Sequence, residues 1–78
     1  MYYTYLLKLS NNSFYAGSTK DLASRIKKHQ NGEVPHTSKF RPLKLVWYAG
    51  FRTKELATDF EDYLKSSSGH AFRNKHLL

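Results

Sequence analysis

Two short runs rich in aromatic and branched residues, Tyr2 to Leu9 and Ser13 to Gly17, are separated only by Ser10-Asn11-Asn12. Runs of this kind suit a pleated surface, and so brief a polar gap between them reads as the turn of an antiparallel hairpin. The turn matters because side chains alternate across a strand. A tight two-residue Asn11-Asn12 turn throws Tyr5 and Tyr15 onto opposite faces. A three-residue loop, or one bulge, puts both on the same face. Asn tolerates the left-handed conformation that either solution needs, so the sequence leaves the register open.

Beyond the hairpin, Ser18-Thr19-Lys20-Asp21 offers a hydroxyl cap with an acid three residues later, and predicts a helix running to about Gln30. Asn31-Gly32 is a favourable place to end it. Glu33 to Pro42 is a basic loop with two prolines. Leu43 to Phe51 alternates and carries Trp47 and Tyr48, which reads as a third strand. Thr53 caps a second helix, in which Leu56, Phe60 and Leu64 recur every fourth residue with Ala57 and Tyr63 beside them. Ser66-Ser67-Ser68-Gly69 breaks that helix, and the basic tail from His70 has room for one short helical turn. The order β-β-α-β-α, plus this short C-terminal helix, predicts an α+β fold: a three-stranded antiparallel sheet flanked by helices.

Seventy-eight residues fit one domain, 1–78. With no cysteine there is no disulfide or thiolate-metal framework, so packing must hold the fold, and six Tyr, five Phe and one Trp supply it. Thirteen Lys and Arg against six Asp and Glu leave a net charge of +7, which favours a polyanionic partner, nucleic acid before anionic membrane. No run approaches the ~20 apolar residues of a membrane span. No basic leader with a cleavage site is visible either. The expectation is a cytoplasmic protein with no membrane partner; its oligomeric state is open.

The first helix turns about 100° per residue. With Leu22 at zero, Ile26 falls at about 40°, His29 at about 340° and Arg25 at about 300°, while Ser24, Lys27 and Lys28 lie opposite. Arg25 and His29 therefore share the side that faces the sheet. An arginine there needs a partner for its charge or a path to solvent. Tyr5 and Tyr15, each alone, are well explained as strand residues covering a core. Together with Arg25 and His29 they form a set able to bind, polarise and deprotonate around a phosphate. Glu61 lies about 100° from the centre of the apolar stripe of the second helix, at its edge. It is either a boundary charge or a hard oxygen ligand for Mg²⁺, which takes few protein ligands and keeps its waters. His36, His70 and His76 lie in loop or tail without zinc-ligand spacing. Lys27, Lys28, Lys39 and Arg41 are candidates for phosphate positioning.

These residues resemble the GIY-YIG nuclease family, in particular its small stand-alone members related to the amino-terminal domain of the excision-repair endonuclease. The densest block is Tyr15-Ala16-Gly17-Ser18-Thr19-Lys20-Asp21-Leu22, followed by Arg25, His29 and Asn31-Gly32. Arg41-Pro42-Leu43-Lys44-Leu45-Val46 and the segment from Glu61 through Leu64-Lys65-Ser66 to Gly69 and Phe72 add to it, so the similarity runs from Tyr3 to about Lys75. The resemblance implies a divalent-metal-dependent endonuclease acting on DNA, branched or repair intermediates among its substrates. Tyr5 matches the first motif tyrosine, Tyr15 the second, Arg25 the helix arginine, His29 a histidine one turn later, and Glu61 the glutamate that holds Mg²⁺ or Mn²⁺. The Gly-Ile of the first motif is here Tyr3-Thr4. Asn74 has an uncertain match to the late asparagine of some members, and His36 to a loop histidine. A protein partner that supplies specificity is compatible with so small a domain. Residue types alone do not say which of Tyr5, Tyr15 and His29 is the base, because a phenol with a pKa near ~10 needs a cation beside it to act at neutral pH. The rival is a nucleic-acid-binding module that uses the same basic face without cutting.

Overall fold

A computed structural model describes all 78 residues and settles the turn. The Leu9 N–H donates to the Ser13 carbonyl at 2.8 Å, which leaves Ser10-Asn11-Asn12 as a three-residue loop. Asn12 takes the left-handed conformation (φ 67°), and the Asn11 side-chain oxygen accepts from the Ser13 N–H at 3.0 Å and its hydroxyl at 2.6 Å. In the resulting register Tyr5 pairs with Gly17 and Leu7 with Tyr15. Tyr5 and Tyr15 accordingly lie on the same face.

The elements are β1 (Tyr2–Lys8), β2 (Phe14–Thr19), α1 (Leu22–Gln30), β3 (Lys44–Phe51), α2 (Lys54–Lys65) and α3 (Ser67–His76), with a 3₁₀ turn at Ser38–Phe40. All strand pairs are antiparallel, in the order β2-β1-β3. The first strand is thus central, and a bulge between Leu6 and Leu7 makes β3 carry Val46 as an extra residue. That bulge lets Val46 and Trp47 pack with Leu6 on one face while Leu45 packs with Leu7 on the other. The α+β architecture is the one the sequence predicts.

Each face has its own core. Tyr5, Leu7 and Leu9 pack against Leu22 and Ile26 of α1 and against Phe40 and Leu43 of the loop. Leu6, Ala16 and Leu64 pack against Phe60 of α2, Trp47 of β3 and Leu77. The Thr4 hydroxyl fastens α2 to the central strand by donating to the Ala57 carbonyl at 2.7 Å.

Four local expectations change. Ser18 does not cap α1: β2 continues through Thr19, and Asp21 is the cap, accepting from the Ser24 N–H at 3.1 Å. Leu56 does not join the apolar stripe but is 51% exposed, because α2 turns its small residue, Ala57, toward β1. Tyr63 is likewise more exposed than its place beside that stripe suggests. Finally, the serine run interrupts but does not end the helical chain. Ser66 closes α2 by donating its N–H to the Tyr63 carbonyl, and its hydroxyl accepts from the Gly69 N–H at 3.1 Å to start α3. The tail is therefore a ten-residue helix rather than one turn.

Candidate active site

Tyr5 stands at the middle of the central strand and is fully buried. A buried hydroxyl needs a partner, since leaving one unpaired costs about 1–3 kcal/mol. That partner is His29, whose Nε2 lies 2.8 Å from the Tyr5 oxygen. His29 is also fully buried, and its Nδ1 lies 2.7 Å from Thr37 Oγ1 in the loop after α1. Thr37, buried in turn, has its hydroxyl 3.5 Å from the Val34 carbonyl. Side chains from β1, α1 and the loop thus form one line of polar contacts through the core. Arg25, one helical turn before His29, donates its Nε–H to the same Tyr5 oxygen at 3.4 Å.

Tyr15 closes the group, with its ring 5.3 Å from that of His29, 6.4 Å from Tyr5 and 6.4 Å from the exposed His36. Gly17 makes room beneath them. A Cβ at this position would collide with the Tyr5 hydroxyl and ring.

Burial, and after it the Arg25 charge, push His29 down to about 4, so its imidazole is neutral at pH 7. Burial also raises Tyr5 above the usual phenol value, outweighing the hydrogen bond from Arg25 that favours the phenolate. At rest Tyr5 keeps its proton. The bond to Tyr5 in turn raises Arg25, which stays charged at any ordinary pH.

Glu61 approaches the same strand from the opposite face. Ser18, the neighbour of Gly17 on β2, donates its hydroxyl to Glu61 Oε1 at 2.7 Å, and Lys65 Nζ meets Oε2 at 2.6 Å. The Glu61 side chain is 17% exposed, and its negative charge reaches Tyr5, adding to the rise in that phenol. No group of three or more His, Cys, Asp or Glu residues converges to hold a metal ion. The donors at Glu61 are one carboxylate and a serine hydroxyl. Such hard, sparse oxygens suit Mg²⁺ or Mn²⁺ with its own waters, and a four-ligand zinc site has no counterpart here. The Lys65 ammonium already marks this spot as one that favours positive charge.

The structure brings Tyr5, Tyr15, Arg25 and His29 together on one face and sets Glu61 at the strand beside them. It adds Thr37, Ser18, Gly17 and Lys65; Gly17, Ser18 and Lys65 lie in the blocks that carry the family resemblance, and Lys65 also has the i,i+4 spacing from Glu61, whereas Thr37 had no signal. Lys27 and Lys28 are exposed on the outer side of α1, and Lys39 is exposed on the 3₁₀ turn. Arg41 is tied to the backbone, its Nε–H on the Ser38 carbonyl at 3.0 Å and its Nη1 on the Gln30 carbonyl at 3.4 Å. Asn74 sits exposed on α3. A shallow cleft beside Ser18, lined by Tyr2, Thr19, Lys20, Lys54 and Ala57, contributes two further lysines.

A three-stranded sheet that sets Tyr5, Tyr15, Arg25 and Glu61 near one another agrees with the fold that the resemblance to the GIY-YIG catalytic domain implies. The model of that family matches residues 1–75, and the chain belongs to this nuclease family, whose members generally use divalent metals. Its relatives include the UPF0213 protein YazA of Bacillus subtilis, 38% identical over 65 residues that span 82% of this chain and 66% of that protein. A UPF0213 protein of Clostridium perfringens is 41% identical over 66 residues, 83% of this chain and 71% of its own. The solution NMR structure of a UPF0213 protein from Bacillus halodurans superposes with a TM-score of 0.59 at 34% identity, covering 95% of this chain and 81% of that one. No helix is long and apolar enough to cross a membrane.

Proposed function

We propose that residues 1–78 form a single nuclease domain that hydrolyses phosphodiester bonds in DNA, branched or repair intermediates among them, with Mg²⁺ or Mn²⁺ on Glu61, and that it works in the cytoplasm. One observation carries this reading: the Tyr5 oxygen, at the centre of the sheet, touches both a neutral imidazole and a guanidinium. A proton acceptor and a phosphate-binding cation therefore meet at one atom.

Arg25 is the phosphate ligand. Its bond to Tyr5 is long, and a phosphate oxyanion is a stronger acceptor than a phenol, so substrate draws the guanidinium outward and uncovers the Tyr5 oxygen. Water then gives a proton to that oxygen as the Tyr5 proton passes to His29 Nε2. The hydroxide forms a new bond to phosphorus, the bond to the departing oxygen breaks with its electron pair, solvent protonates that oxygen, and the proton on His29 Nε2 leaves to solvent by way of the Tyr5 oxygen, restoring the neutral ring. A divalent ion on Glu61 would supply positive charge for the phosphate and the leaving oxygen. Ser18 aims the carboxylate, and Tyr15 packs over His29 to limit entry of water. Lys20, Lys27, Lys28, Lys39, Arg41 and Lys54 hold the flanking phosphates, a role that makes affinity fall with salt at a log-log slope of roughly −0.9 per phosphate neutralised on duplex DNA.

Purified protein incubated with branched, flapped and duplex DNA, with Mg²⁺ or with chelator, tests the proposal. Cutting that needs metal and disappears in Glu61→Ala and in Arg25→Ala, both with unchanged circular dichroism, is the expected result. Salt-sensitive binding without any cutting would instead assign the chain as a non-catalytic nucleic-acid-binding module.

A further inference from the structure

We infer that Thr37 is a positioning residue for this reaction: its buried hydroxyl fixes the His29 tautomer with the proton on Nδ1, so that Nε2 presents its lone pair to Tyr5. The inference rests on the nuclease reading for its consequence, but its structural content stands apart from it.

The number of hydrogens at His29 selects one tautomer. A neutral imidazole has one N–H and one bare nitrogen, and both His29 nitrogens face hydroxyl oxygens, at 2.8 Å and 2.7 Å. The Tyr5 oxygen already accepts the Nε–H of Arg25. If His29 Nε2 also carried a proton, Tyr5 would face two N–H donors, and its own O–H would lose the acceptor it has. All of this lies in a fully buried setting, where a stranded O–H is costly. With the proton on Nδ1 every hydrogen finds an acceptor. Tyr5 O–H donates to Nε2, Nδ1–H donates to Thr37 Oγ1, and Thr37 O–H turns to the Val34 carbonyl at 3.5 Å.

Thr37 is itself held firmly. Its N–H donates to the same Val34 carbonyl at 3.1 Å, and the 3₁₀ turn begins at the next residue. The consequence for proton transfer is direct. A proton leaving Tyr5 needs a bare nitrogen to receive it, and only this tautomer supplies one. As that proton arrives, Nδ1–H remains on Thr37 Oγ1, so the ring keeps its orientation through the step.

Long-range ¹H–¹⁵N NMR of the ¹⁵N-labelled full chain, with the His29 signals assigned by their loss in His29→Gln, reads the tautomer directly. The wild type and Thr37→Ser are expected to show a protonated Nδ1 and a bare Nε2. Thr37→Val, nearly equal in shape but unable to accept, is expected to move the proton toward Nε2. The same variant should cut flapped DNA about 10²-fold more slowly with KM little changed, the low end of what a general base contributes, and Thr37→Ser should restore the rate. A wild-type Nε2–H tautomer overturns the inference, as does a folded Thr37→Val protein that keeps Nδ1–H or cuts at the wild-type rate. Should Thr37→Val fail to fold, the wild-type and Thr37→Ser spectra still decide. A protein with the expected tautomers that cuts no DNA refutes the nuclease proposal and leaves Thr37 as the anchor of His29.

Discussion

On the α2–α3 face, Trp47, Phe51, Tyr63 and Phe72 gather around Phe60 with ring centroids 5.6–6.3 Å apart. On the α1 face, Tyr5, Tyr15 and His29 gather at 5.3–6.4 Å. The spacing is alike, but the tips differ. The first group is largely hydrocarbon and needs only contact, whereas the second ends in a hydroxyl, an imidazole and, beyond it, Thr37, all of which need partners. One half of this small core stabilises the fold, and the other half holds a polar chain that must be satisfied throughout. Changes on the first side should move stability and leave chemistry alone, and changes at the second should do the reverse.

The largest test of that division is Glu61→Gln, at the edge between the two. Cutting should slow at least ~10³-fold, about 4 kcal/mol of barrier, in single-turnover assays. Stability should change by less than about 1 kcal/mol, since the Lys65 partner is 52% exposed and such pairs contribute little. Binding to DNA should hold or tighten slightly through lost repulsion, as read by fluorescence anisotropy. Unfolding alongside the lost activity would erase the distinction.

Leu64→Ala probes the opposite side. Leu64 is completely buried against Leu6 and Ala16, so urea unfolding should lose about 2–5 kcal/mol, with the rate per folded molecule intact. Ser18→Ala comes next. It frees Glu61 Oε1 without touching the core, and about a ten-fold loss of cutting, equivalent to about 1.4 kcal/mol, is expected with an unchanged melting temperature.

The smallest effect is a pH dependence. His29 sits at about 4 in the fold and near ~6.5 when unfolded, so the folded state binds fewer protons between those values. Its contribution is complete above pH 6.5 and is lost as pH falls toward 4. Between pH 7 and 5.5 the loss should be about 1 kcal/mol, and it should vanish in His29→Gln. Facing the ring are Tyr5 from β1, Tyr15 from β2 and Arg25 from its own helix; burial raises the Tyr5 phenol further from that window, and the bond to Tyr5 keeps Arg25 charged. Wild-type stability that is flat in this range would show that His29 is not held neutral by burial.

Periodicity made much of this molecule readable in advance. Helical spacing placed Arg25 and His29 on the sheet side, and the hairpin reduced the two tyrosines to a choice of two registers. That choice could not be made from the chain, because Asn12 accepts a left-handed conformation in either turn. Ser18 misled for a related reason: a hydroxyl before an acid looks the same whether it caps a helix or reaches from a strand to Glu61. Leu56 misled because the centre of a stripe depends on what it faces, and α2 needs a small residue where Thr4 grips it. Thr37 had no signal at all. Its role comes from a loop folding back over α1, and neither propensity nor period encodes such a contact.

Gly17 lies so close under the Tyr5 ring that positions 5 and 17 form a single heritable choice. A side chain at 17 would displace the large ring at 5, and with it the hydroxyl that joins Arg25 to His29. Selection for stability alone, run on random libraries of this chain, should therefore keep glycine at 17, because the alternative empties the fully buried space that the Tyr5 ring fills.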